Sequence, residues 1–250
     1  MQTITGKTVR EIALEAPLSA RVFEEFKIDF CCKGRVPFAE ACKTAGVDPE
    51  VVFAKLRPIL ENVKVDDSAA DRMGPTELID HIVSTHHAFT VDEIHRLVPL
   101  SEKVAMRHGD NHPELIEIRD LFNDLAEELI AHQRKEELML FPYIKQLNLA
   151  VKEGRPAAAP PFGSAANPIR LMIYDHGNAV ETMWNLRELS GNYTAPPEAC
   201  PSYKGLFAGL KDFERDLHRH IQLENDALFP QAIKLEKDAL PGAGTNGQID

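Results

Sequence analysis

Two segments of this chain carry the same string. His132 to Pro142 and His220 to Pro230 both read HxxxExxxLFP, and the two copies stand 88 residues apart. Upstream of each lies a further histidine, His87 and His176, and these are 89 residues apart. A near-constant offset marks an internal duplication, here of a helical hairpin with one His on its first helix and HxxxE on its second. The phase of the repeat restricts the fold further. Phe122, Leu125, Leu129, His132, Glu136, Met139 and Tyr143 follow one another at steps of 3, 4, 3, 4, 3, 4. Leu210, Phe213, Leu217, His220, Glu224 and Ala227 repeat that rhythm, and Ile169, Ile173, His176, Val180 and Met183 keep it on the helix between. This is the period of a helix seam, so the His and Glu side chains replace apolar residues in the stripe that faces a bundle interior.

Four long helices are predicted, over about 75–107, 114–148, 168–191 and 200–236. The breaks between them have turn chemistry: His108-Gly109-Asp110-Asn111-His112-Pro113, the low-complexity stretch 151–167, and Gly191 to Glu198 with two prolines. Asn167-Pro168 reads as an N-cap followed by a first-turn proline. No run of alternating β-branched residues competes with this pattern. The predicted fold class is all-α, an up-down four-helix bundle preceded by a small helical domain.

That small domain spans 1–62. Thr8 and Glu11 have capping-box spacing and start a helix at Val9. Pro17 ends it, and Leu18, Val22, Phe23 and Phe26 form a second apolar face. Asp48-Pro49 starts another helix, running to about Glu61. Such a unit buries little surface alone and is expected to lean on the rest of the chain or on a second copy. Residues 63–74 are small and polar and are assigned as a linker, 75–238 as the bundle, and 239–250 as a disordered tail.

Charge and composition exclude several classes. The 250 residues carry 28 Lys and Arg against 39 Asp and Glu, a net charge of −11, which opposes binding to nucleic acid. Apolar runs are far shorter than the ~20 residues a membrane helix needs. The N-terminus, with Glu11 and Glu15, has no signal-peptide core. The 4 cysteines, two of them adjacent, do not form a disulfide framework. A reducing cytoplasm is the expected compartment.

The chemistry follows from the seam. Glu136 and Glu224 aimed into one core would cost several kcal/mol each if left unpaired, and no seam Lys or Arg neutralises them. A metal does. Four imidazoles and two carboxylates fit two first-row ions, each taking two His nitrogens, with Glu136 and Glu224 bridging. The symmetric sets predict similar surroundings for the two ions. Zinc prefers fewer ligands and calcium or magnesium prefers oxygen alone, so iron is favoured, with manganese second. The coordination left open accommodates an oxo or hydroxo bridge and a small exogenous ligand. His86 and His87 are adjacent, and only one is expected to face the core. His87 is in phase with Val83, Ile94 and Val98, whereas His86 is in phase with Ile79, Val83 and Phe89 but then Glu93, which favours His87. Asp80, Asp175 and Glu128 are candidate partners of the imidazoles, or ordinary surface acids. His108 and His112 fall in a turn and are expected to be solvated.

By the combination of its His/HxxxE set with Asp29-Phe30-Cys31-Cys32-Lys33-Gly34, the chain resembles the repair-of-iron-centres family over residues 5–235. Members join a vicinal-cysteine domain to a hemerythrin-like di-iron domain. The resemblance places iron ligands at His87, His132, Glu136, His176, His220 and Glu224, and the family's paired cysteines at Cys31 and Cys32. It implies a cytoplasmic stress protein that restores iron–sulfur clusters after nitrosative or oxidative damage, with damaged iron–sulfur proteins as partners. It is also compatible with a homodimer. From the residues alone, Cys31 and Cys32 are either a transfer or redox pair or half-buried packing; the resemblance favours the former. Cys42 and Cys200 are assigned to packing. Three functions remain in competition: iron donation, binding or reduction of nitric oxide, and oxygen binding. An oxygen store has no use for a dithiol arm, and whether the protein is an enzyme stays open.

Overall fold

The computed structural model describes residues 4, 6–16, 19–30, 34–61 and 73–240. Leu18, Cys31, Cys32, most of the linker and residues 241–250 lie outside them. The chain divides into two compact units, Met1–Arg72 and Met73–Asp250.

In the first unit, α1 (Val9–Glu15) begins with the expected capping box. The Thr8 amide donates to Glu11 Oε2 at 2.7 Å, and the Glu11 amide donates to Thr8 Oγ1 at 3.2 Å. Two free helix-end donors are thereby satisfied by two neighbouring side chains. The others are α2 (Ala20–Glu25), α3 (Phe38–Thr44) and α4 (Pro49–Glu61). Asp48 caps α4 through the Glu50 amide at 2.9 Å. Val9, Ile12, Phe23, Phe30, Phe38, Cys42, Val52 and Leu56 form the core. Gly34 is required where it stands: a Cβ there would meet the Phe30 carbonyl oxygen at 1.9 Å.

The second unit is a four-helix bundle of long rods, three of them interrupted by a widened π turn. The first rod is α5 (Pro75–His81), a π turn at Ile82–His87, and α6 (Ala88–His108). The second is α7 (Glu114–Lys135), a π turn at Glu136–Leu140, and α8 (Phe141–Lys152). The third is the uninterrupted α9 (Ala166–Leu189). The fourth is α10 (Pro201–Leu223), a π turn at Glu224–Leu228, and α11 (Phe229–Ala239). α6 packs on α7 and α5 on α8, so the first two rods run antiparallel. α10 packs on α6, α9 on both α7 and α10, and α11 on α8, which closes the bundle.

The LFP element explains two of the π turns. Pro142 and Pro230 have no N–H, and their rings clash with the carbonyl four residues back in an α-helix. The chain responds with bonds that span five residues: the Phe141 amide donates to the Glu136 carbonyl and the Phe229 amide to the Glu224 carbonyl. One extra residue in the turn slips the helix face by roughly 100°. The predicted seam is corrected accordingly. Met139 is 47% exposed and Leu140 is buried in its place; Ala227 likewise yields to Leu228. On α9, Ile173 is 42% exposed because the inward line runs through Met172, His176, Ala179 and Met183.

α9 also starts earlier than Asn167-Pro168 suggested. Its first turn is held by the Ala165 amide donating to Glu236 Oε1 at 2.8 Å and the Ala166 amide donating to Ser164 Oγ at 3.2 Å. Glu236 further accepts from Tyr143 Oη at 2.8 Å and Ser164 Oγ at 2.6 Å. The 151–167 segment is thus pinned to α11. Near the far end of the bundle, Arg187 on α9 and Glu214 on α10 form a buried ion pair at 2.9 Å that the sequence pattern did not reveal.

Candidate metal centre

His87, at the end of the first π turn, and His176, in the middle of α9, each face an HxxxE helix. His132 and Glu136 project together from the end of α7, and His220 and Glu224 from the end of α10, because residues four apart share a helix face. All six side chains are at most 3% exposed, with both carboxylates fully enclosed. Their ligating atoms form two groups. His87, His220, Glu136 and Glu224 make one, His132, His176, Glu136 and Glu224 the other, and within each group the atoms lie within 4.8 Å of one another.

Both carboxylates belong to both groups, one oxygen to each. Glu136 Oε2 is 3.5 Å from His87 Nε2, and its Oε1 is 3.2 Å from His132 Nε2. Glu224 Oε1 is 3.0 Å from His220 Nε2, and its Oε2 is 3.1 Å from His176 Nε2. Across each group the imidazoles face one another, His87 Nε2 to His220 Nε2 at 3.2 Å and His132 Nε2 to His176 Nε2 at 3.1 Å.

This donor set fits a cation. His87 Nδ1 lies 2.7 Å from Glu137 Oε1, His132 Nδ1 3.4 Å from Asp175 Oδ2, and His176 Nδ1 3.1 Å from Asn225 Oδ1. Those partners only accept, so each Nδ1 carries the proton and, in the neutral ring, Nε2 presents a bare lone pair. Lone pairs then converge on carboxylate oxygens that, among the described residues, have no hydrogen-bond partner of their own. A positive charge at each convergence point removes the conflict.

Without metal, protons supply part of that charge. Burial opposes protonation of His132, yet the Glu136 carboxylate, with help from Glu224 and Asp175, pushes it up to about 9. Burial and the Glu224 charge push Glu136 up, the His132 and His87 imidazoles pull it down, and the net displacement is downward. Glu224 ends well below its usual range despite burial, held there by His220 and His176. His220 is displaced downward by its own burial.

Several expectations change. His86 and His87 are both buried, at 5% and 2%, because the π turn at Ile82–His87 widens the helix where they sit. Asp175 reaches His132, but Asp80 pairs with Lys145 at the surface and Glu128 is exposed. Sequence reasoning missed Glu137 and Asn225, although the repeat held the signal: each follows its HxxxE glutamate and each holds the single His of a neighbouring helix. His108 and His112, expected to be solvated, are half-buried. His108 Nε2 lies 3.2 Å from Cys200 Sγ, and both rings pack on buried Tyr203. Cys200, at the N-cap of α10, is half-buried against His108, while Cys42 is buried. A cavity of about 210 Å³ reaches His132 and His176 and is lined also by Leu125, Leu129, Lys135 and Asp175. Among the described residues, no helix is long and apolar enough to cross a membrane.

Residues 78–232 match the family model described as Hemerythrin HHE cation binding domain, and residues 5–59 match the one described as a Domain of Unknown function (DUF542). The Iron-sulfur cluster repair protein ScdA of Staphylococcus haemolyticus is 31% identical over 221 residues, covering 88% of this chain and 95% of that protein. The Probable iron-sulfur cluster repair protein of Haemophilus influenzae is 32% identical over 225 residues, 89% and 95% of the two chains. The Iron-sulfur cluster repair protein YtfE of Escherichia coli O157:H7 is 33% identical over 224 residues, 89% and 94%. The chain belongs to this family of iron–sulfur cluster repair proteins, with a hemerythrin HHE cation binding domain as its larger unit.

Proposed function

We propose that this protein repairs iron–sulfur clusters damaged by nitrosative or oxidative stress, and that it does so by donating iron from a di-iron centre. The observation that carries the reading is the division of both buried carboxylates between two groups of ligands, one oxygen to each. In this reading His87 and His220 hold one iron, His132 and His176 the other, and Glu136 and Glu224 bridge them. Two nitrogens and two oxygens leave each iron short of six ligands, where a zinc ion would already be satisfied. Iron bound there supplies a transferable ion and open positions for a small ligand or an oxo or hydroxo bridge. The imidazoles and carboxylates hold the ion as deprotonated donors and take up protons as it leaves. Cys31 and Cys32 pass the iron to the damaged protein, and the setting is the cytoplasm, with a homodimer as the assembly.

The test is to purify the protein with its iron and mix it with a cluster-free iron–sulfur protein, sulfide and a reductant. Return of the recipient's cluster absorbance, with matching loss of about two irons per donor chain, is the expected result. A protein that holds no iron, or keeps it in the presence of the recipient, overturns the reading. A second reading, nitric oxide binding or reduction at the same centre, is favoured by the cavity beside His132 and His176, whose apolar wall of Leu125, Leu129, Ala131 and Ala179 suits a small neutral diatomic. Catalytic consumption of nitric oxide without iron transfer would select it.

A further inference from the structure

Three of the four imidazoles in the centre are oriented by an acceptor on Nδ1: Glu137 for His87, Asp175 for His132 and Asn225 for His176. His220 is the exception. Its ring is 1% exposed, and among the described residues its Nδ1 has no hydrogen-bond partner. The face of the ring is covered instead. The His86 ring lies parallel to it, with centroids 5.8 Å apart and planes 8° apart, an offset stack. His86 is itself fixed by Asp216, whose Oδ1 is 3.0 Å from His86 Nδ1. Asp216 stands one turn before His220 on α10, so a single helix face anchors both ends of this clamp.

The duplication shows that this is a divergence between the halves. His86 precedes His87 as Asp175 precedes His176. At one of these equivalent positions an acid accepts from the HxxxE imidazole; at the other an imidazole stacks on it. The π turn at Ile82–His87 allows the second arrangement, because it turns two successive imidazoles inward, one toward the carboxylates and one onto α10. α9 has no such turn and presents Asp175, 27% exposed at its side chain, in the corresponding place.

We propose that His86 is a positioning residue for the metal position formed by His87 and His220. Its stacked ring holds the His220 imidazole edge-on to the carboxylates, and Asp216 holds His86. The two metal positions are therefore inequivalent. One has both imidazoles oriented and polarised by hydrogen bonds; the other has one imidazole oriented by stacking alone, which leaves it a less basic donor. The inference rests on the reading of the six residues as a di-iron site and adds what separates its two halves.

The test uses the iron-loaded full chain, its His86→Ala and His86→Phe variants, and removal of iron by a ferrous chelator after anaerobic reduction. Phe keeps the stack and the burial without the hydrogen bond to Asp216. In His86→Ala about half of the iron should leave roughly ten- to a hundredfold faster than in the parent protein while the other half leaves at the parent rate. His86→Phe should return the release most of the way to the parent rate, the shortfall reporting the lost hydrogen bond to Asp216. Mössbauer spectra of the oxidised parent protein should show two quadrupole doublets, only one of them altered in His86→Ala. Equal acceleration of all the iron, an unchanged His86→Ala variant, or a His86→Phe variant that behaves as His86→Ala would each overturn the proposal. A parent protein that binds no iron would sink the di-iron reading instead. Thermal melts of the metal-free variants separate lost positioning from lost folding, since the proposal requires melts close to that of the metal-free parent.

Discussion

Glu136 and Glu224 place two carboxylates in the interior of the bundle. Each is fully buried, and among the described residues the groups that pair with them are imidazoles. Truncating either, as Glu136→Ala or Glu224→Ala, should lower bound iron from about two per chain toward one, as read by elemental analysis; both variants keeping two would refute a bridging role. Cys42 makes a different prediction. Burial pushes its thiol up to about 11, against an ordinary value of 9.0. Between those values the unfolded chain has released a proton that the folded chain retains, so stability falls as pH rises through that window and is unaffected at neutral pH. Urea unfolding at pH 8 and pH 10.5 should show a smaller loss for Cys42→Ala than for the parent.

For the elements, the π turns matter most, because they decide which residues follow the buried histidines and glutamates into the core. Phe141 and Phe229, just past their turns, stack on His87 and His176 with centroids 5.7 and 6.0 Å away. Pro142→Ala restores an amide at the position that forbids a regular α-helix, and the helix should rewind there. Iron retention is then expected to fall while helicity by circular dichroism holds or rises; unchanged retention would mean that the turn survives without its proline. Glu236 is the second device at this level. It satisfies Tyr143, Ser164 and the Ala165 amide at once. Glu236→Ala leaves these groups unpaired and should cost about 1–3 kcal/mol, with faster proteolysis in 151–167 as the companion readout.

Considered as a whole, the molecule couples its larger unit to metal. Iron that binds only the folded bundle stabilises it by about 3 kcal/mol at a hundredfold excess over Kd, so its removal should lower Tm by on the order of 5–10 °C, measured by calorimetry before and after chelation. The paired cysteines belong to the other unit. The double variant Cys31→Ala, Cys32→Ala should keep its iron and lose repair in stressed cells; loss of iron would make the cysteines ligands.

Much of this organisation is legible in one dimension. The offset of the HxxxExxxLFP copies, the Thr8–Glu11 box and the Asp48-Pro49 start are local signals, carried by covalent spacing and by hydrogen bonds that span a turn. Even the π turns are foreshadowed by Pro142 and Pro230, since a missing N–H is a property of the residue itself. What was not legible depends on pairs of residues distant in the chain. The inward turn of both His86 and His87 requires a widened helix for which no proline gives notice. Asp175 stands out only as one of three candidate acids, and Asp216, the partner of His86, is an acid of ordinary appearance, singled out only when another helix brings an Nδ1 within reach. Helix period determined which residues share a face; packing between rods decided what each face meets, because register and rotation are set by contacts that no local pattern encodes.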